Sequence, residues 1–549
     1  MQGNGSVFKS EPGEYDRLCS EYKLAVPEYF NFGLEIVDAW CKTESRDKMA
    51  LYCCKEREKE QQISYKQLKL HSDRVANFLV DLGLKKGDKA IVMLPRIPEW
   101  WYFTLGMIKA GIVPIPVTAR RKASGEIGQV LKISKPEAIV ISAGTAWDID
   151  EIIADLEVIR ITVKGERDGW IEYDKEIKAI PSVFEPTVLT RSTDPLLVYF
   201  TSGTTGPRPR GVVHTHSHAL AFSSAASFWY CLGPEDLHWT LSTPGWAKFS
   251  WGSFFAPFTV GCTVFVHDCM PRFSPDQALQ LIEDHGITSF CATATAYRLL
   301  LQEDLTGRDF SRLKKCTTIG EVLDPSDAEC WQELTGIELL DGYGQTETTL
   351  LIANFPFIEK IPGSLGKPVP SYKIAVVDDE GDELLPYMEG HLAVDISEGF
   401  PPGLFAGYLD NPEEDARAFK HGYYYTGDKG YRDDDGYFYF TGRADEIIKT
   451  AGFTVVPFEV ESVLASHDAV AEAGVTGVPD PIRGQIVKAF VVLSPGYKGS
   501  DDLIEELKDH VKQQTAHFKC PRKIVFVDDL PKSKTGKLRR LALRGFKDV

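Results

Sequence analysis

The hydrophobic and polar positions of the chain alternate between two periodicities, one typical of amphipathic helices and one typical of buried strands. Ser64 can cap a helix in which Leu68, Val75 and Leu79 recur at helical spacing, and Gly83 ends that helix. Other segments repeat the contrast: residues 89–94, 138–141 and 289–292 are predicted strands, and residues 98–110 and 277–285 are predicted helices. Strands that alternate with helices predict a largely parallel sheet with helices on its faces.

The pattern changes after about residue 374, where short alternating runs are separated by Asp- and Gly-containing turns such as residues 378–381 and 433–436. Such runs are typical of antiparallel strands, and they predict a small β-barrel-like subdomain. Helix and strand patterns return after residue 445. We therefore predict an N-terminal domain over residues 1–444 and a small C-terminal domain over residues 445–549.

Composition narrows the classes of partner. A chain of 549 residues exceeds one compact core, which agrees with at least two domains. The formal net charge of −18 argues against a nucleic-acid partner, because no broad basic face can neutralise phosphates. The eleven cysteines include no C-x-x-C pair, so the spacing indicates neither a zinc site nor a disulfide framework, and a reducing compartment is expected.

The same inspection gives an expected location. Residues 1–22 resemble neither a secretory signal nor a transit peptide, and the C-terminal residues are not a peroxisomal signal. The longest apolar run, residues 254–266, is broken by Pro257 and Gly261 and is too short to span a bilayer. We expect a cytoplasmic protein without a membrane span.

The first candidate for chemistry is T-S-G-T-T-G at residues 201–206. An apolar segment, residues 196–200, precedes it and predicts a strand buried on both faces, and Val212 and Val213 follow it. Two glycines among hydroxyl residues give a backbone with closely spaced donors, which suits a polyphosphate. The same composition is typical of a solvated hairpin turn, and the hexapeptide alone leaves both interpretations open.

This loop resembles the phosphate-binding signature of the adenylate-forming enzymes, the superfamily of acyl-CoA synthetases, luciferases and adenylation domains. That family usually continues Gly-x-Pro-Lys-Gly, whereas here the run is one residue longer and carries Arg208 and Arg210 in place of the lysine. Arginine keeps the charge and can bind phosphate in a bidentate manner. The departure concerns the role of the loop lysine and not the existence of an anion site.

A second signature is G-Y-G-Q-T-E at residues 342–347. By resemblance Tyr343 stacks on the purine and Glu347 is a Mg²⁺ ligand, a role that suits a hard carboxylate next to phosphate oxygens. The residue before Gln345 sets the depth of the acyl pocket in this family. Here it is Gly344, which implies a pocket open to acyl groups longer than acetate. Taken alone, a glutamate after a polar turn is usually solvated.

A third signature follows at residues 425–428. The resemblance implies that Asp428 accepts both ribose hydroxyls, that Arg443 contacts ribose and phosphate, and that Asp445 is the hinge of a domain rotation. Alone, Asp428 could close an Asx turn and Asp445 could cap a helix. The full ATP-binding set implied by the resemblance is Thr201, Ser202, Gly203, Thr204, Thr205, Gly206, Arg210, Gly320, Glu321, Val322, Asp341, Gly342, Tyr343, Gln345, Thr346, Asp428 and Arg443.

The last signature is P-K-S-K-T-G-K at residues 531–537. By resemblance Lys537 is the catalytic lysine, which contacts a substrate carboxylate oxygen and the α-phosphate together. Lys532 and Lys534 lie in the same loop, and the sequence alone does not exclude them. The resemblance further places the CoA arm against Lys449 and Gly452.

Segments such as residues 243–251 and 478–484 are similar to the medium-chain acyl-CoA synthetases, in which Trp246 and its neighbours line the acyl pocket. The resemblance implies an α/β fold: a large N-terminal domain of mixed, largely parallel sheets with flanking helices, the β-barrel-like subdomain, and a small mobile α+β C-terminal domain. It implies a ligase that uses ATP, Mg²⁺ and CoA to activate a small-to-medium-chain carboxylic acid through acyl-AMP. The alternatives are a nucleotide-binding protein with weak or lost activity because of the altered phosphate loop, and an adenylation enzyme that feeds a carrier protein. The oligomeric state is left open.

Overall fold

The fold is described from a computed structural model. It covers residues 13–54, 60–118, 124–145, 149–202, 209–268, 273–443, 446, 448–450, 453–480, 483–532 and 538–546. The chain divides into two compact units. The first comprises Met1–Ile374 with Asp395–Gly422, and the second comprises Ala375–Val394 with Tyr423–Val549. The predicted domain boundary falls inside the second unit, at residues 444 and 445, which lie outside the described residues, so it stays a prediction.

The strands follow one another along the chain with few long gaps. They are β1 Met49–Cys54, β2 Gln61–Ser64, β3 Lys89–Met93, β4 Val113–Pro116, β5 Ala138–Ser142, β6 Ile159–Val163, β7 Ile171–Glu172, β8 Pro195–Ser202, β9 Pro209–Thr215, β10 Leu237–Thr240, β11 Thr263–His267, β12 Ser289–Ala292, β13 Lys315–Ile319, β14 Leu339–Gly344, β15 Leu350–Ala353, β16 Lys367–Pro368, β17 Ile374–Val377, β18 Gly390–Asp395, β19 Gly407–Tyr408, β20 Phe419–Lys420, β21 Tyr423–Arg432, β22 Phe438–Arg443, β23 Ile448–Thr450, β24 Phe453–Val455, β25 Val470–Asp480, β26 Gly484–Leu493 and β27 Lys523–Phe526.

The helices lie between them. They are α1 Glu14–Glu21, α2 Tyr65–Asp81, α3 Pro98–Ala110, α4 Ser124–Ser134, α5 Ile149–Ile152, α6 Tyr173–Glu176, α7 His216–Ser224, α8 Ala247–Ser250, α9 Ala256–Thr259, α10 Pro275–His285, α11 Ala294–Leu300, α12 Pro325–Thr335, α13 Pro412–Ala418, α14 Pro457–Ala465, α15 Asp501–Gln514 and α16 Arg540–Leu543.

The predicted elements of the first unit are confirmed. In α2, the Ser64 side chain accepts from the Gln67 backbone N–H and the Gln67 side chain accepts from the Ser64 N–H, which is a complete capping box. Leu68, Val75 and Leu79 are fully buried on one face of that helix. The strands predicted from apolar runs are β3, β5 and β12, and each lies inside a sheet. Local sequence therefore determined these elements.

A nine-stranded sheet dominates the first unit, in the order β16-β15-β14-β13-β12-β10-β11-β1-β2. The pairs from β14 to β1 are parallel, and the outer pairs β14–β15, β15–β16 and β1–β2 are antiparallel. A second sheet, β4-β3-β5-β6-β7, is parallel throughout. Helices α10, α11 and α12 contribute Leu279, Tyr297 and Trp331 to one buried core against the large sheet.

A small antiparallel sheet, β19-β9-β8, completes the first unit and carries the predicted phosphate loop. Four residues of β8 that precede the loop, Leu196 to Tyr199, are buried, as predicted from the apolar run. Since β8 and β9 are antiparallel neighbours, the loop between them is a hairpin connection.

The second unit contains two sheets. In the first, β17, β18 and β21 are neighbours in that order, and β22 pairs antiparallel with β21, as the alternating pattern predicted. The second has the order β24-β23-β26-β25, with β27 parallel to β26. Helices α14 and α15 cover this sheet with Leu464, Leu507 and Val511, which are fully buried. Among the described residues, no helix combines the length and the apolar character needed to cross a membrane.

Candidate active site

The predicted phosphate loop is the turn between β8 and β9, where Thr201 pairs with Arg210 and Ser202 with Pro209. Gly203, Thr204, Thr205 and Gly206 lie outside the described residues, as does the side chain of Ser202. The Oγ1 atom of Thr201 is buried and has no hydrogen-bond partner among the described residues. A buried hydroxyl without a partner is costly unless a ligand completes it, so this atom is available to a bound group.

Arg210, which stands in place of the loop lysine, is held by Glu414 and Tyr408. Its Nη1 lies 3.1 Å from Glu414 Oε2, and its guanidinium lies over the Tyr408 ring, 5.0 Å from the centroid. Both groups are largely buried, with 17% of each side chain exposed. The guanidinium is therefore fixed at the base of the hairpin loop by an ion pair and a cation–π contact.

The turn between β14 and β15 carries Glu347 and is fixed by neighbouring strands. The Tyr408 hydroxyl donates to Glu347 Oε1 at 3.0 Å, and the Phe405 backbone N–H donates to the Glu347 carbonyl at 2.8 Å. Glu347 is buried, with 8% of its surface exposed. Burial and the nearby Glu347 charge raise the pKa of Tyr408 well above its ordinary value, so this hydroxyl remains a donor. One carboxylate oxygen is thereby oriented.

His214 on β9 holds the same turn from a second side. Its Nε2 lies 2.7 Å from the Thr346 carbonyl oxygen, and since a carbonyl only accepts, Nε2 carries the proton. Burial lowers the pKa of His214 to about 3, so the imidazole is neutral. Gln345 closes the turn on itself, because its backbone N–H donates to Thr348 Oγ1 at 3.0 Å. The turn is thus held by neutral hydrogen bonds.

The strand that leads into this turn is tightly packed. Asp341 is 8% exposed, and burial raises the pKa of its carboxyl to about 8, although the Gly342 N–H donates to it at 2.9 Å. A Cβ at Gly342 would lie 2.7 Å from Leu350 and from Trp229. Tyr343, the next residue, is half-buried. Glycine is needed at position 342 because no side chain fits between β15 and Trp229.

Gly344, expected at the floor of an acyl pocket, faces another constraint. A Cβ there would lie 2.4 Å from the Thr349 carbonyl oxygen on the following backbone. A larger residue at 344 would therefore have to move the turn before it could shorten a pocket. The packing of this turn was not visible in the sequence.

The segment expected to contact adenine follows β13. Gly320 has a φ of +100°, which favours glycine, and Val322 is half-buried. The Glu321 Oε2 atom accepts from the Thr295 backbone N–H at 2.9 Å. Glu321 thus caps the first turn of α11 and ties two loops that follow neighbouring parallel strands.

Trp246 directly precedes α8 and is half-buried. Two residues further on, Lys248 Nζ donates to the Ile319 carbonyl at 3.4 Å, and burial lowers the pKa of Lys248. This lysine joins the Trp246 segment to the Gly320 segment, and sequence reasoning assigned it no role. A lysine in an otherwise apolar and aromatic run was the available signal. Tyr408, whose hydroxyl contacts Glu347, was likewise assigned no role.

In the second unit, Asp428 and Arg443 are direct cross-strand partners on β21 and β22. Arg443 Nη1 lies 3.2 Å from Asp428 Oδ1, and the Asp428 backbone N–H donates to Thr426 Oγ1 at 3.1 Å. Gly427, which lies between Thr426 and Asp428, has a φ of +76°, and a Cβ there would be 3.6 Å from the Arg443 guanidinium. The structure therefore brings together two residues that the sequence singled out 15 positions apart.

The loop expected to carry the catalytic lysine is closed at its base. Lys532 and Leu538 form an antiparallel bridge, and the Arg539 N–H donates to the Pro531 carbonyl at 2.8 Å. Lys532 Nζ lies 2.6 Å from Glu472 Oε2, so this lysine is committed to a surface ion pair. Lys534 and Lys537 lie outside the described residues, as do Asp445, Gly452 and the Lys449 side chain.

Arg540, just after that loop, makes a forked contact. Its Nε and Nη2 donate to the two Glu461 carboxylate oxygens at 2.9 and 2.6 Å, and its Nη1 donates to Glu446 at 3.1 Å. Although burial lowers the pKa of the guanidinium, the two carboxylates outweigh it and hold the pKa above its ordinary value. Glu446 directly follows the predicted hinge residue, so one side chain ties the loop base to that position.

Comparison with known proteins identifies the class to which this fold and these residues belong. Residues 37–409 match the family described as AMP-binding enzyme, and residues 459–537 match the AMP-binding enzyme C-terminal domain. The chain belongs to the AMP-binding enzyme family.

Several proteins with similar sequences are named as CoA ligases or acyl-CoA synthetases. The chain is 40% identical to the mitochondrial acyl-coenzyme A synthetase ACSM3 of Rattus norvegicus, over 96% of this chain and 93% of the relative. It is 43% identical to 4-hydroxybutyrate–CoA ligase 1 of Metallosphaera sedula, over 88% and 85%. Among solved structures, the anthranilate CoA ligase AuaEII in complex with anthranoyl-AMP superimposes with a TM-score of 0.84 at 28% identity, over 96% and 98%. The predicted resemblance and fold class are confirmed.

Proposed function

We propose that this protein is an AMP-forming acyl-CoA synthetase that activates a small-to-medium-chain carboxylic acid with ATP and transfers it to CoA. The observation that carries the proposal is the fixed turn around Glu347, held by Tyr408 and His214 next to the hairpin that bears the phosphate loop. Similarity to named acyl-CoA and CoA ligases over most of the chain supports the same activity.

ATP binding is assigned residue by residue from the family motifs. The loop at residues 201–206 and Arg210 take the phosphates, the segment from Gly320 to Val322 and Tyr343 take the adenine, and residues 341–346 make further contacts. Asp428 takes the ribose hydroxyls, and Arg443 takes the ribose and phosphate. The Arg443–Asp428 ion pair supports this, because it already orients the carboxylate.

The chemistry of the Glu347 carboxylate fits Mg²⁺. Its Oε1 atom is oriented by the Tyr408 hydroxyl, and the groups described around this turn are oxygen atoms and neutral donors rather than thiolates. When bound, Mg²⁺ supplies charge neutralisation for the phosphate oxygens. Glu347 would hold it.

In the first half-reaction the substrate carboxylate attacks the α-phosphorus, acyl-AMP forms and pyrophosphate leaves. Lys537 approaches the carboxylate oxygen and the α-phosphate and stabilises the charge that develops between them. The loop at residues 201–206 and Arg210 hold the departing pyrophosphate. Lys532 is less suited to this task, because Glu472 already occupies its ammonium group.

In the second half-reaction the C-terminal domain, residues 445–549, rotates about Asp445. The strand that contains Lys449 and the glycine at 452 then meet the pantetheine arm of CoA. The CoA thiolate attacks the acyl carbon and AMP leaves as the mixed anhydride bond breaks.

The acyl pocket is assigned to the region of Trp246 and Gly344, with Lys248 nearby as an additional polar group. Gly344 has no side chain that could enter such a pocket, which is the feature that supports this assignment. The chain length of the preferred acid is what the experiment below measures. The cytoplasmic location stays a prediction, since several named relatives are mitochondrial enzymes.

The deciding experiment measures pyrophosphate release from ATP and Mg²⁺ with a panel of carboxylic acids from acetate to octanoate, with and without CoA. We expect acid-dependent pyrophosphate release, AMP as the nucleotide product, and a CoA thioester only when CoA is present. Release without an acid substrate, or no release with any acid, would contradict the proposal. Thioester formation on a carrier protein but not on CoA would favour the adenylation alternative. No feature of the described residues supports that alternative.

A further inference from the structure

A second cluster of potential metal ligands lies near the other edge of the nine-stranded sheet. Cys54 ends β1, Glu60 directly precedes β2, and His285 ends α10. One ligand atom from each of these residues lies within 4.8 Å of the other two. Five strand-to-strand steps separate β1 from β14, which is about 24 Å at the usual spacing, so this cluster is distinct from the Glu347 site.

The hairpin register explains why two of these residues meet. Cys53 pairs with Gln61 across β1 and β2, so Cys54 and Glu60 occupy the next opposing positions. His285 reaches them from the large sheet's helix α10, which ends at Gly286 in the left-handed conformation. The three ligands therefore come from three elements, which is why the spacing of cysteines gave no zinc signal.

The distance between the two softer ligands suits a tetrahedral metal. Cys54 Sγ and His285 Nε2 are 3.6 Å apart. A tetrahedral Zn²⁺ with ordinary Zn–S and Zn–N bonds separates its sulfur and nitrogen ligands by about 3.6 Å. The pair is already spaced for one ion between them, and Glu60, whose Oε2 accepts a hydrogen bond from Tyr52, can offer its Oε1 to that ion.

Tyr52 sets the tautomer of the His285 ring. Its hydroxyl donates to Glu60 Oε2 at 2.6 Å and lies 3.1 Å from His285 Nδ1. Because the hydroxyl proton is used on the carboxylate, Nδ1 donates to the tyrosine oxygen, and Nε2 keeps its lone pair beside the Cys54 sulfur. This is the arrangement in which metal-binding histidines are held by a partner on the other ring nitrogen.

The local field favours a cation. The C-terminal carbonyls of α10 present the negative end of the helix dipole, and the Glu60 carboxylate adds a full negative charge. Cys54 and His285 are shielded from solvent more than Glu60, so the soft ligands form the inner part of the cluster.

We propose that Cys54, Glu60 and His285 bind one Zn²⁺ ion, with a fourth position open to water. Sulfur and imidazole ligands select Zn²⁺ over Mg²⁺, whereas the carboxylate at Glu347 does the reverse. Binding replaces the thiol proton, which passes to solvent, by the metal, and it fastens the β1–β2 hairpin to the end of α10.

The test uses the full chain, freed of metal and dialysed against Zn²⁺ in the absence of ATP. Wild-type protein is expected to retain one equivalent of zinc that both Cys54→Ser and His285→Gln lose. Substitution with Co²⁺ is expected to give a thiolate-to-cobalt charge-transfer band in the wild type, absent in Cys54→Ser. Tyr52→Phe, which removes the hydroxyl that contacts both the imidazole and the Glu60 carboxylate, is expected to weaken binding by about 10–100-fold.

Cys330→Ser is the matched control. Cys330 is also a free, half-buried cysteine, but it belongs to no group of potential metal ligands among the described residues. It is expected to retain the zinc equivalent and the cobalt band. Equal zinc uptake by the wild type and Cys54→Ser, or a wild-type cobalt spectrum without a thiolate band, overturns the proposal. Should Cys54→Ser unfold, the comparison of Tyr52→Phe with wild type decides by the same titration.

Discussion

The turn that carries Glu347 and the loop base that leads to Lys537 are both fixed in place, but by different physical means. Around Glu347 the contacts are buried and made by neutral donors: the Tyr408 hydroxyl, the His214 imidazole and the Phe405 N–H. At the loop base the contacts are ion pairs, from Arg540 to Glu461 and Glu446 and from Lys532 to Glu472.

The two kinds of contact respond differently to salt and to the loss of a partner. Hydrogen bonds from neutral donors in a buried site give a defined geometry and depend little on salt, so the carboxylate is oriented before any ligand arrives. The ion pair between Lys532 and Glu472 is partly exposed, so it is screened by salt and weakens when one partner is drawn elsewhere. The first arrangement suits a fixed site and the second suits a segment that changes its contacts.

The largest effect is expected at the lysine that ends the loop. Lys537→Ala should lower the rate of acyl-AMP formation by about 100–1,000-fold, because it removes one charge from the developing transition state. Thioester formation from supplied acyl-AMP should persist. Lys532→Ala is the control, since its ammonium group is paired with Glu472, and it should stay within a few-fold of wild type. Equal loss of both half-reactions in Lys537→Ala would refute the separate role of the loop.

Arg540→Gln tests whether the loop base depends on its charges. Removing the guanidinium leaves Glu461, which is 7% exposed, without its bidentate partner, and breaking such a pair costs about 3 kcal/mol in unfolding free energy. Denaturant unfolding measures this loss. Lys532→Gln removes a more exposed pair and should cost below about 1 kcal/mol. Similar costs for the two variants would show that burial does not distinguish them.

Tyr408→Phe tests the neutral side of the comparison. It removes the hydroxyl that orients Glu347 and should weaken the apparent Mg²⁺ affinity in pyrophosphate release by about 10-fold. Tyr372→Phe is matched to it, because the Tyr372 hydroxyl bonds Thr349 on the same turn at 2.7 Å without touching the carboxylate. A shift of equal size in both variants would indicate general loosening of the turn instead of loss of an orienting bond.

A pH-dependent effect on stability is expected at a carboxyl inside the neutral region. The pKa of Asp341 is raised by burial from its ordinary 3.8 to about 8, so between these values the folded state binds more protons than the unfolded state. Stability should therefore fall as the pH rises through this window, by up to about 1.4 kcal/mol per pH unit.

Asp341→Asn should flatten this pH dependence between pH 5 and 8, as measured by denaturant unfolding. Asp410→Asn is a suitable control, because Asp410 is exposed and its φ of +50° is one that asparagine also tolerates. Parallel stability curves for wild type and Asp341→Asn would show that the carboxyl is already ionised in the folded protein.

Local signals in the sequence predicted the elements well. The Ser64–Gln67 capping box begins α2, and the apolar run before the phosphate loop is strand β8, because caps and apolar runs act over a few residues. The family motifs likewise located Glu347, Asp428 and Arg443. They gave no indication that Lys532 would be paired with Glu472, since that contact joins residues 60 positions apart.

The sequence by itself determined which residues are of the right chemical type and where strands and helices begin, since these follow from short-range periodicity and side-chain chemistry. Only the tertiary structure decided which partners they meet. Tyr408 reaches Glu347 across 61 positions, and His285 reaches Cys54 across 231, because strand order in the sheets brings distant segments together. Burial sets the protonation state of each side chain in the site, and the packing around it sets its orientation. Both depend on segments that are distant in the sequence.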